Sequence, residues 1–159
     1  ASPATDCALC DPGWFNAVEG ETVCLECAPG QYTTGNGVTQ CILCASGFVE
    51  PSSGSTQCAA CTVGNFAATT GWTACAQCGP GLFAATNSSS ECVACDPGTV
   101  AGGSALSECT SCQPGYFAAG AGSSACVGCD VSHFAASAES TACPLCPPGT
   151  FQTASHESF

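Results

Sequence analysis

The 159-residue chain contains no lysine, no arginine and no methionine, and only two histidines. Without cations it has no means of displacing counterions from phosphate, which argues against nucleic acid as a partner. Ion pairs within the chain are confined to a protonated His133 or His156 or the amino terminus. No apolar run is long enough to span a membrane, and no charged and apolar amino-terminal signal is visible. The twelve acidic residues are scattered singly from Asp6 to Glu157 and set the net charge at −12. They read as a coat that keeps an alanine-rich chain soluble, and they lack the clustered spacing of a calcium cage. Catalysis has few candidates. His133 stands at a variable place beside an aromatic, so both imidazoles read as surface residues, and neither an enzyme nor a cofactor is expected.

Cysteine, by contrast, is abundant. The 18 cysteines fall into nine Cys-x-x-Cys pairs at an unbroken period of 17 residues, beginning at 7, 24, 41, 58, 75, 92, 109, 126 and 143. A fixed period marks a repeat architecture, and this cysteine content marks a disulfide scaffold. Such chains belong to oxidising compartments, so an extracellular place, secreted or at the cell surface, is expected.

Counting from the second cysteine of each pair, the third position is glycine in eight of nine repeats, Ser132 being the exception. The second position is proline in six. Pro-Gly at the centre of four residues suits a type II turn, because proline presets the first φ and glycine accepts a positive second one. The fifth position is aromatic or β-branched throughout, from Phe15 to Phe151, and the twelfth is always Ser or Thr. A second bend is marked by Gly20, Gly37, Gly54, Gly71 and Gly122. Pro and Gly recur too often for a helix to establish itself, so each repeat reads as a short irregular β-hairpin. Stacked hairpins give the expected fold: a small disulfide-rich protein of tandem 17-residue repeats in an extended, solenoid-like rod. One buried phenylalanine returns only about 1.5–3 kcal/mol per repeat, well below the entropy of ordering it, so cross-links are required. The aromatic residues recur at one phase and are expected to form a buried column against the disulfides.

Connectivity is not fixed by sequence, but the period discriminates among schemes. Bonds inside each Cys-x-x-Cys close tiny rings and constrain the unfolded chain least. Crossed bonds weld repeats into twos and require a 34-residue alternation that the prolines do not show. A ladder keeps every repeat equivalent and is favoured: Cys10–Cys24, Cys27–Cys41, Cys44–Cys58, Cys61–Cys75, Cys78–Cys92, Cys95–Cys109, Cys112–Cys126 and Cys129–Cys143. It leaves Cys7 and Cys146 over, for bonds to a neighbouring segment or another molecule. Residues 1–6 read as the end of a preceding repeat, 7–146 as the nine-pair array and 147–159 as an incomplete last repeat. The expected partners are therefore self-association or continuation of the same array.

The stretches CDPGWF, CAPGQY, CGPGLF, CQPGYF and CPPGTF, with the cysteines around them, resemble ephrin-receptor-like cysteine-rich repeats of the growth-factor-receptor superfamily. They are also similar to the first half-module of tumour-necrosis-factor-receptor repeats and to cysteine-rich surface proteins of protists. The resemblance implies the same bond around the Pro-Gly-x-aromatic turn. The additional cysteines of full receptor modules are missing, so no ligand-binding residue carries over.

Zinc on four thiolates is a competing reading of the spacing, but nine pairs do not divide into twos. A thioredoxin-like redox role needs a strand–helix context that the Pro/Gly punctuation denies. Trp14 and Trp72 read as packing between repeats rather than sugar-stacking platforms. Asn87-Ser88-Ser89 is the single N-glycosylation sequon, placed in a turn, and glycans are possible partners there. The function expected is structural, as a rod, stalk, surface coat or filament. The alternative is a receptor or adhesion ectodomain for a protein or glycan ligand, which one surface patch breaking the period would betray.

Overall fold

The computed structural model describes residues 6–152. Thr5, His156, Ser158 and Phe159 lie outside the described residues, as do most of the segments read as incomplete repeats. Among the described residues there is no helix, only strands of two residues each. They are β1 (Trp14–Phe15), β2 (Leu25–Glu26), β3 (Gln31–Tyr32), β4 (Ile42–Leu43), β5 (Phe48–Val49), β6 (Ala59–Ala60) and β7 (Asn65–Phe66), then β8 (Ala76–Gln77), β9 (Leu82–Phe83), β10 (Val93–Ala94), β11 (Thr99–Val100), β12 (Thr110–Ser111), β13 (Tyr116–Phe117) and β14 (Val127–Gly128). Consecutive strands form seven two-stranded sheets, and an antiparallel bridge between His133 and Leu145 follows them.

One hairpin shows how the sequence dictates the geometry. Pro12 and Gly13 occupy the centre of a turn closed by the Trp14 amide donating to the Asp11 carbonyl at 3.0 Å. Gly13 has φ +87°, as a type II turn requires. The chain leaves as β1, bends, and returns as β2, with Trp14 opposite Glu26 and Phe15 opposite Leu25. The return strand is therefore the pair of residues inside the next Cys-x-x-Cys. The Cys27 amide then donates to the Gly13 carbonyl at 2.9 Å, closing the hairpin beside its disulfide.

The chain forms two compact parts, each built from this element. The first holds the residues up to Cys61 together with Ala67–Ala76, and the second holds Thr62–Phe66 together with the residues from Gln77 on. In the first, the turn-glycine amides of Gly13, Gly30 and Gly47 donate to Thr33, Glu50 and Ala67 in the next repeat. The amides of Asn16, Thr33 and Glu50 donate to Val38, Ser55 and Trp72, and those of Gly37, Gly54 and Gly71 donate back to Cys10, Cys27 and Cys44. In the second part the same three bonds recur, for example Gly81 to Ala101, Ala84 to Leu106 and Ala105 to Cys78. Stacking is thus carried by backbone hydrogen bonds at fixed offsets.

Contacts also reach the second neighbour. A Cβ built on Gly30 would overlap the Gly71 carbonyl oxygen, and one on Gly98 would overlap that of Glu139. The turn glycine is thus required twice, by its positive φ and by a backbone packed against its Cα.

The aromatic column departs from expectation. Of the described residues at this phase only Val49 is buried; Phe15, Tyr32, Phe66, Phe83, Val100, Phe117 and Phe134 are half-buried and Phe151 is exposed. What is fully enclosed is the second cysteine of the pairs from Cys27 to Cys129, and the small residue after the aromatic: Thr33, Ala67, Ala84, Ala101, Ala118 and Ala135. The cause is the close approach of neighbouring backbones. The amides of Thr33, Ala84, Ala101 and Ala118 bond the next repeat, which encloses a short side chain there, whereas Asn16 and Glu50 make the same bond and keep longer side chains half-buried. The larger neighbour on the alternate face is left in a groove.

Two predictions follow the packing. Phe83→Ala should cost about 1–2 kcal/mol, roughly half the price of a fully buried ring. Ala84→Leu should cost about 1–3 kcal/mol by overpacking, although it adds apolar volume. Thermal midpoints of the two variants measured side by side check this, and an unchanged midpoint for Ala84→Leu would refute the buried-alanine reading.

The bend residues make a further test. Ser88, Ala105 and Glu139 hold φ values of 61°, 59° and 61° where the other complete repeats use glycine. Ala105→Gly should raise stability by about 1 kcal/mol by removing the left-handed penalty. Gly98→Ala should lower it by at least about 1–2 kcal/mol, since its Cβ meets both the positive φ and the Glu139 carbonyl.

Candidate functional site: the disulfide ladder and its exposed faces

Sixteen cysteines form eight disulfides, each spanning 14 residues: Cys10–Cys24, Cys27–Cys41, Cys44–Cys58, Cys61–Cys75, Cys78–Cys92, Cys95–Cys109, Cys112–Cys126 and Cys129–Cys143. The Cα atoms of every pair lie 5.7 or 5.8 Å apart, within the range a relaxed bridge adopts. In six of the eight bridges one cysteine is fully enclosed, since Cys27, Cys44, Cys61, Cys78, Cys95 and Cys112 have no exposed surface. A bridge with one shielded sulfur offers a thiolate few lines of attack. With these thiols oxidised, the tetrathiolate zinc reading loses its ligands. Among the described residues no group of three or more His, Cys, Asp or Glu is placed to hold a metal ion. No helix among them is long and apolar enough to cross a membrane.

Cys7 and Cys146 are free thiols, the first exposed and the second half-buried. They belong to opposite phases of the repeat. Cys7 occupies the place of a closing cysteine and Cys146 that of an opening one, so chemically they are the two halves of one further rung.

The remaining candidates are dispersed. Asn87 is exposed, and its Oδ1 accepts the Val63 amide at 3.1 Å, while Ser89 Oγ donates to the Thr86 carbonyl at 2.8 Å. His133 is half-buried, with Nδ1 3.3 Å from the Val131 carbonyl. Trp72 packs on the cluster of Val49, Cys61 and Ala67, beside Cys75, and its Nε1 donates to Thr69 Oγ1 at 2.8 Å. Trp72 is thus a packing residue, while Trp14 is partly exposed on β1. Trp14 and Trp72 belong to the first compact part, and Asn87 and His133 to the second.

Two features escaped sequence reasoning. Glu26 accepts a bond from Ser53 Oγ at 2.6 Å, and Glu139 accepts one from Ser111 Oγ at 2.7 Å. These acids join second-neighbour repeats at offsets of 27 and 28, which a period of 17 does not advertise. The second feature is that the residues inside Cys-x-x-Cys face solvent: Leu9, Leu25, Ile42, Leu43, Val93, Val127 and Leu145 are at least half exposed. The signal was present, since a strand pinned between two disulfide cysteines at its ends has one face turned outward.

Searched against models of known protein families, the chain matches none, and no curated protein sequence matches it either.

Proposed function

We propose that the protein is an extracellular structural element, a disulfide-laddered array serving as a rod, stalk, surface coat or filament, without catalytic activity. The observation that supports this reading is the equivalence of the repeats. Each carries the same bridge, the same type of turn and, where neighbours are described within one part, the same three backbone bonds. Cross-links at every repeat suit a protein that must persist where chaperones and reducing agents are absent. The lack of Lys and Arg removes every cleavage site of trypsin-like proteases, which suits the same setting. Continuation of the array, within a longer chain or between copies through Cys7 and Cys146, completes the proposal. A contact joining opposite faces head to tail is heterologous and generates an open filament.

A receptor or adhesion ectodomain is the second reading, for which the units of Trp72 and His133 are the atypical ones. Glycans at Asn87 fit either role.

Oxidation of the purified chain under mild conditions tests the filament form. Multiples of the 15.5 kDa mass should appear on a non-reducing denaturing gel, collapse on reduction, and vanish in Cys7→Ser. A monomer that keeps two titratable thiols under oxidising conditions would count against bonding between copies.

A further inference from the structure

Two constant features of the repeat are left unexplained by its packing. The aromatic or β-branched residue at the fifth position is only half-buried in most repeats. The hydroxyl at the twelfth position is exposed in every described repeat, from Thr22 to Thr141. Among the described residues no side-chain hydrogen bond engages a twelfth-position hydroxyl. Hydroxyls one place earlier are engaged, since Ser89, Ser123 and Ser140 donate to the carbonyls of Thr86, Gly120 and Ser137. Solubility alone does not demand a hydroxyl at the twelfth place, because the next position accepts Gln, Glu, Ala or Val in the complete repeats.

The two features meet in one groove, and the groove recurs. In the first compact part a cavity of about 280 Å³ has Tyr32, Phe48, Thr56, Gln57 and Cys58 in its lining. In the second part a cavity of about 560 Å³ has Phe83, Asp96, Thr99, Ser107, Glu108 and Cys109 in its lining. Position for position these are the same place: Tyr32 corresponds to Phe83, Phe48 to Thr99, Thr56 to Ser107 and Gln57 to Glu108. The ring at the fifth position of one repeat thus shares a hollow with the twelfth, thirteenth and fourteenth residues of the next. Described repeats precede and follow both grooves, so neither is the open face of a terminal repeat.

What both linings share selects the occupant. A half-buried ring offers an apolar face, and a free hydroxyl beside it donates and accepts hydrogen bonds. Acids line the second groove but not the first, so a cationic partner would find nothing common to the two. A polyanion would meet no Lys or Arg in either groove, and Asp96 and Glu108 would repel it in the second. A flat, neutral sugar ring presents C–H groups on one face and hydroxyls around its edge, which matches the ring and the hydroxyl together.

We propose that these recurring grooves are binding sites for a neutral saccharide. The fifth-position ring of one repeat packs on the sugar's C–H face, and the twelfth-position hydroxyl of the next bonds the sugar's hydroxyls. This supplies a ligand class for the receptor or adhesion reading. Neither the disulfide ladder nor association through Cys7 and Cys146 depends on it, and their tests are separate.

The test follows amide chemical shifts of the whole chain, with Cys7 and Cys146 blocked and every rung verified by mass. The probes are cellohexaose and xylohexaose, with hexagalacturonate as the charged counterpart. At least one neutral hexamer should shift the amides of Tyr32, Thr56, Phe83 and Ser107 saturably. Ser107→Ala should weaken binding in the Phe83 groove about fivefold, while the Tyr32 groove, read in the same titration, keeps its affinity. Because the Ser107 hydroxyl is exposed and holds nothing in the fold, the thermal midpoint should not move. Four results would each overturn the proposal: no saturable shift with either neutral hexamer, shifts confined to the residues inside Cys-x-x-Cys, equal shifts with hexagalacturonate, or unchanged affinity in Ser107→Ala.

Discussion

A disulfide sits at the centre of each of the eight complete repeats, and the surrounding architecture is arranged around the shortage of apolar mass that makes it necessary. A 17-residue hairpin with two-residue strands has too few ladder bonds to stand alone, and two-stranded sheets are marginal in water. Closing the loop with a covalent bond restricts the unfolded chain. That restriction allows the repeat to dispense with a large side chain in its interior. The interior then becomes thin enough for the backbones of adjacent repeats to hydrogen-bond directly through the amides at the third, sixth and tenth positions. Glycine under a second-neighbour carbonyl and alanine beside the aromatic follow from the same closeness.

Much of this was legible in the sequence, for a physical reason. Cysteine, Pro-Gly and the Ser/Thr phase are local signals that depend only on the repeat itself, and a period multiplies them. The hairpins and the turn type could be read from Cys10 to Cys24 alone, while the grouping into rungs needed the period of the whole array. What could not be read was the direction in which each side chain faces its neighbour. Phe83 carries the apolar mass and Ala84 almost none, so a reading by hydrophobicity assigns the core to the wrong one. Only the separation of adjacent backbones decides the matter, and no residue encodes that separation. The same holds for Glu26 with Ser53.

Repetition of one bonded geometry supports a mechanical role, in which no single repeat is special. A uniform, covalently closed scaffold is consistent with the extracellular structural role proposed for the chain, where a repeat that keeps its shape without a large core and a surface free of Lys and Arg suit the setting.

The central claim is that the rungs close each hairpin rather than the Cys-x-x-Cys or two repeats at once. Digestion of the unreduced, thiol-blocked protein with pepsin, at a pH where disulfides do not exchange, followed by mass spectrometry of the linked peptides, tests it most directly. The account predicts Cys27 bonded to Cys41 and Cys95 bonded to Cys109, with Cys7 and Cys146 carrying the blocking group in the monomer. Cys24 bonded to Cys27, or Cys24 bonded to Cys7, would contradict it.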